Sequence, residues 1–132
     1  MGKTLVETVE GLLRDAGFSV QRAYPGTVMQ DVTDLELTVQ WAQLDQKAKT
    51  ATVQVMVFSP AEKGAAVCQD GAVTVCLCLQ SGGGSCVMKK TAYDPDMHLL
   101  GTEVLASFTG EQTANGWIPF QEEAEQPTEE QE

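Results

Sequence analysis

The chain is 132 residues long, 42% hydrophobic and 20% charged, with 8 Lys+Arg against 19 Asp+Glu for a formal charge of −11. That length suits one domain able to bury its own core. The acidic balance argues against a phosphate-backbone binder, whose affinity rests on clustered Lys and Arg, and no run of about 18 apolar residues offers a membrane span.

The acid is unevenly placed, since residues 121–132 (QEEAEQPTEEQE) hold six glutamates and no base. They read as a disordered acidic tail, because burial there cannot offset the entropy of ordering. Residues 1–120 are expected to form the single domain. The N-terminus, MGKTLVETVEGLLRDAG, lacks the continuous apolar stretch of a signal peptide, so the chain is expected to be intracellular when made. Its four cysteines (Cys68, Cys76, Cys78, Cys86) are then expected to be reduced and to act as small core hydrophobes.

Taken in order, Thr4-Leu5-Val6-Glu7 fits a capping box, and Leu5, Val9, Leu12, Leu13 and Ala16 form one helical stripe that Gly17 stops. The spacing predicts a helix over about residues 4–16. Phe18 to Tyr24 alternates as a short strand that ends at Pro25-Gly26. Residues 25–33 read as a loop. Leu35, Leu37, Val39 and Trp41 then alternate with polar residues, as do Val53, Val55 and Val57. The two runs predict an antiparallel hairpin across the polar residues 43–50, with these seven side chains as the main part of the core.

Ser59-Pro60-Ala61-Glu62 repeats the capping-box pattern, so a helix starts there or, delayed by Gly64, about a turn later. Val67, Cys68, Ala72, Val75, Cys76 and Leu79 follow its period. Ser81 to Ser85 reads as a flexible glycine-rich break. Cys86–Tyr93 and Leu99–Thr109 read as two strands joined by Asp94-Pro95-Asp96, with Leu100, Val104, Ala106 and Phe108 on one face. The fold class is therefore α+β: a small mixed or antiparallel sheet with two helices packed on it, in the order αβ-ββ-α-ββ.

No catalytic, cofactor-binding or metal-ligating set emerges. Cys76-x-Cys78 is not the two-residue-spaced pair of a zinc ribbon, and a helix turns those thiols about 200° apart. The lone His98 sits beside a turn, and only Asp94 and Asp96 lie near it in sequence, so it reads as a surface histidine. Gly2-Lys3-Thr4 lacks the upstream glycine and strand of a phosphate-binding loop. Gly82-Gly83-Gly84 lacks a following helix N-terminus. The remaining apolar feature is Trp117-Ile118-Pro119-Phe120. Either it closes the core by packing back, or Trp117, Ile118 and Phe120 dock on a neighbouring subunit. The acidic tail is a solubilising end or an interaction segment.

Ala23-Tyr24-Pro25-Gly26, VQVMVFSP (residues 53–60), Gly64-Ala65-Ala66-Val67-Cys68-Gln69-Asp70 and Val104-Leu105-Ala106-Ser107-Phe108-Thr109-Gly110 together carry a resemblance. Over about residues 5–110 the chain resembles small tail-component proteins of phages and prophages of Gram-positive bacteria, of the tail-completion or tail-terminator kind. The resemblance implies a non-enzymatic structural protein of α+β fold. It implies a homo-oligomeric ring at the head–tail junction, meeting the tail tube and the head-completion proteins, with no nucleic acid or membrane partner and no cofactor. Such a protein would sit in the host cytoplasm during assembly and then in the virion tail. Another neck or minor-tail adaptor is the alternative, and a small ligand-binding module or hydrolase is the alternative of a different class.

Overall fold

The computed structural model describes residues 3–21 and 34–119. Of the sequence-based expectations, the end of the first strand, the loop at 25–33, Phe120 and the acidic tail lie outside the described residues, as does Ala23 to Gly26.

Helix α1 spans Leu5–Asp15. Its capping box forms as the sequence implies: Thr4 Oγ1 accepts the Glu7 N–H at 3.1 Å, and Glu7 Oε1 accepts the Thr4 N–H at 2.9 Å. At the other end the Phe18 N–H reaches the Leu13 carbonyl and the Gly17 N–H reaches that of Arg14, a Schellman turn. Leu5, Val9 and Leu13 are buried, and Leu12 packs beside them.

Six strands follow around a second helix: β1 (Val20–Gln21), β2 (Glu36–Asp45), β3 (Thr50–Pro60), α2 (Ala65–Ser81), β4 (Ser85–Asp94), β5 (Leu99–Thr113) and β6 (Gly116–Pro119). They form a curled mixed sheet of order β1-β2-β3-β5-β4, with β6 added to the far end of β5. Only β1–β2 is parallel. The expected β2–β3 hairpin is antiparallel, with Leu37 opposite Val57 and Val39 opposite Val55. Central β3 turns Ala51, Val53, Val55, Val57 and Ser59 inward, where all five are buried. From β5, Thr102, Val104, Ala106 and Phe108 join them. Both helices cover this face, α2 contributing Cys68, Ala72, Val75 and Leu79. The opposite face carries a polar row across three strands: Gln40 donates to Gln54 at 2.6 Å, Gln54 donates to Glu103 at 2.8 Å, and Thr52 meets Ser107 at 2.9 Å.

The structure is thus α+β with two helices on one sheet, but it has one strand more than the order αβ-ββ-α-ββ provides. Strand β6 comes from the apolar knot: Trp117 and Ile118 pair with Gln112 and Glu111 across a two-residue turn. Pro119 is tolerated as the last residue of a sheet-edge strand, where a missing N–H costs little.

Two further expectations change, and one open alternative is decided. Trp41 faces inward by register, opposite Val53, yet is 38% exposed. Of the two helix starts left open by the sequence, the later one, delayed by Gly64, forms, and Ser59 is not a helix cap. It stays in β3, and residues 61–63 form a single 3-10 turn before Gly64 opens α2. The glycine-rich break is an ordered second Schellman turn, with Gly84 N–H on the Leu79 carbonyl and Gly83 N–H on that of Gln80. Gly83 sits there at φ +95°, a conformation that other residues adopt only with strain.

Leu79 and Leu77 test this packing on one helix. Leu79 is fully buried and Leu77 is 60% exposed on the opposite side. Leu79→Ala is expected to lower unfolding free energy by about 2–5 kcal/mol, and Leu77→Ala to leave it within about 0.5 kcal/mol, read by urea denaturation.

Candidate functional site

The inward face of the sheet contains a short polar chain. Cys68 donates its S–H to the Val57 carbonyl at 3.3 Å and lies 3.2 Å from Thr102 Oγ1, which in turn meets Thr91 Oγ1 at 2.8 Å. Cys68 and Thr102 are closed off from solvent. Their hydrogen bonds satisfy groups that would otherwise be costly to bury, so this chain packs α2 onto β5 and offers nothing to a substrate.

The other three cysteines lie half-buried along the flanks of α2. Cys78 Sγ points to the Leu12 carbonyl of α1 at 3.8 Å, and Cys86 Sγ points to the Cys76 carbonyl at 3.7 Å. Burial raises the pKa of Cys76, and a hydrogen bond accepted from Cys86 offsets part of that rise. Cys86 is pushed up to about 11, by burial first and then by its neighbours Cys76 and Cys78. These thiols are therefore weak nucleophiles at neutral pH. Among the described residues, no group of three or more His, Cys, Asp and Glu side chains is placed to hold a metal ion.

His98 is exposed at the β4–β5 turn with φ +55°. Its Nδ1 lies 2.8 Å from the Tyr93 hydroxyl, and its carbonyl accepts the Ala61 N–H. Asp94 Oδ1 instead accepts the N–H groups of Asp96 and Met97. The aspartate thus shapes the turn, and the histidine is held by a tyrosine rather than by a carboxylate. That is the geometry of a braced turn, without the oriented base of a catalytic triad.

Surfaces remain. Large exposed apolar side chains stand on α2 (Val73 and Leu77), on β6 (Ile118) and on two strands at the lateral sides of the sheet. Beside β2 stand Trp41 and Leu44, on a strand with no charged residue between Glu36 and Asp45. Along β4 stand Val87, Met88 and Tyr93, interrupted by Lys89 and Lys90 where the register shifts. Bulges and lysines of this kind blunt an edge strand against indiscriminate pairing. The sequence gives the inward alternation of these strands but does not reveal which positions the helices leave uncovered.

The apolar knot divides. Trp117 is half-buried against the core, and its N–H donates to the Lys3 carbonyl at 3.0 Å, while Ile118 is 55% exposed. Trp117 also borders a cleft of about 150 Å³ between α1, β5 and β6, with Leu5, Leu12, Phe108 and Pro119. No helix among the described residues is long and apolar enough to cross a membrane.

Compared with protein-family models, with curated proteins and with solved structures, the chain matches none.

The two knot residues are expected to separate in mutation. Trp117→Ala should lower unfolding free energy by about 1–3 kcal/mol, below the ~3–5 kcal/mol of a fully buried aromatic, and Ile118→Ser should change it by less than about 0.5 kcal/mol. Paired thermal melts check this. An unchanged melt for Trp117→Ala would remove it from the core.

Proposed function

We propose that the protein is a non-enzymatic assembly component of a phage or prophage tail, a terminator or completion protein at the head–tail junction that acts as a ring of identical copies. One observation carries this reading: each protomer exposes large apolar side chains on β2 and on β4, at opposite sides of one sheet. Trp41 and Leu44 mark the β2 side, and Val87, Met88 and Tyr93 the β4 side. A closed ring needs such a heterologous pair, one patch meeting a different patch on the next copy. The resemblance of residues 5–110 to small tail components supports the same reading. Ile118 extends the exposed apolar surface beyond the sheet edges.

A ligand-binding module has less support. The cleft beside Trp117, about 150 Å³, falls short of the roughly 300–1,000 Å³ of small-molecule sites. Among the described residues, the raised thiols of Cys76 and Cys86 and the tyrosine-held His98 are not arranged as an activated nucleophile and its base.

Deleting the gene from a phage that carries it is the direct test. Tails of irregular length, unjoined to heads, are the expected result in electron micrographs, and normal virions would overturn the reading. Complementation with Trp41→Ser/Leu44→Ser should fail, while the purified double variant keeps unfolding free energy within about 1 kcal/mol of the parent, since both side chains are exposed.

A further inference from the structure

The seam between α2 and β4 holds a pair of groups that assembly leaves unused. Cys76 and Cys86 are 10 residues apart on either side of the Schellman turn, with Cys86 Sγ 3.7 Å from the Cys76 carbonyl. We propose that Cys76 and Cys86 form an oxidisable dithiol, which a low-molecular-weight disulfide such as oxidised glutathione converts to an intramolecular disulfide stapling α2 to the edge strand β4. This inference does not depend on the tail-assembly reading.

The other thiols are excluded by position. Cys68 is sealed beneath α2 and bonded to Val57 and Thr102. Cys78 lies two residues beyond Cys76, about 200° around the helix, with its sulfur on the α1 side. Cys76 and Cys86 are both half-buried, so a small disulfide reaches them. The residues between them fold back in an ordered turn that returns β4 alongside α2.

The chemistry balances without any bound group. The Cys76 thiolate attacks one sulfur of oxidised glutathione and expels glutathione thiolate, leaving a mixed disulfide. The Cys86 thiolate then attacks the Cys76 sulfur and expels the second glutathione. Two electrons pass from the protein thiols to the glutathione disulfide, and the two thiol protons end on the departing glutathiones. Burial raises both thiols, Cys86 to about 11, and the same product forms whichever of the two attacks first. Only thiolate reacts, and its fraction rises about tenfold per pH unit below the pKa. The bond therefore closes slowly at neutral pH and faster in alkali. A reducing cytosol keeps it open, and an oxidising exterior closes it.

The test incubates the full chain with oxidised glutathione at pH 7, 8 and 9 and follows intact mass and maleimide-reactive thiols. The expected product has lost two of the four thiols with no glutathione attached, forms about tenfold faster per pH unit, and reverts with dithiothreitol. Cys78→Ser should still close, whereas Cys76→Ser and Cys86→Ser should yield at most a single glutathione adduct. Four surviving thiols, a wild-type chain that stops at adducts, or closure that persists in Cys76→Ser or in Cys86→Ser would each overturn the proposal. The wild-type measurement needs no variant to fold.

Discussion

The pairing of β5 is the constraint on which the rest of the structure depends. This one strand is hydrogen-bonded to β3 along Leu99–Thr109, to β4 over nearly the same span on its other side, and to β6 beyond Thr109. The change of partner falls between Thr109, opposite Thr50, and Gly110, opposite Pro119. A Cβ at residue 110 would stand 2.5 Å from the Ile118 carbonyl oxygen and 2.6 Å from the Trp117 ring, so the crossing requires glycine. Just past it, Gln112 accepts the first helical N–H of α1 (Leu5) at 2.8 Å, and its backbone carbonyl accepts from Gln46 at 2.7 Å. One residue thus joins the start of α1, the β2–β3 turn and the β5–β6 hairpin.

With that joint in place, the inward face closes as apolar packing with a few polar groups. The Cys68–Thr102–Thr91 chain is internally satisfied, whereas Ser59 Oγ is buried without a partner among the described residues. Helix α2 is unusual for its position, with Asp70 as its one charged residue and with Val73 and Leu77 turned to solvent. A helix apolar on both sides is more often found with a neighbour on each. Its outward side, like the two sheet edges, leaves large apolar side chains exposed.

Much of this was legible in the residues. Alternation placed Leu37, Val39, Val53, Val55 and Val57 on one face, and the helical period placed Leu5, Val9, Leu13, Cys68, Val75 and Leu79, because each pattern reports a local repeat. What escaped was what depends on distant parts of the chain. Trp41 has the pattern of a core residue yet stands exposed. Glu10 falls outside the α1 stripe yet is buried. The meeting of Cys76 with Cys86 joins a helix to a strand, and no period encodes that. Strand β6 was hidden by its length and by Pro119, and its existence follows from the turn at Ala114-Asn115.

The position of β3 also sets an order for folding. Its β2 side is reached through a tight turn at Gln46 to Lys49, so that hairpin forms by local contacts. Its β5 side pairs Pro60 with Leu99, 39 residues away, and Thr50 with Thr109, 59 residues away. Such long-range closure is slow and comes late. During synthesis β3 therefore waits with one backbone edge unpaired until residue 109 has left the ribosome. The chain cannot complete its core, or position α1 through Gln112, before that residue has been made.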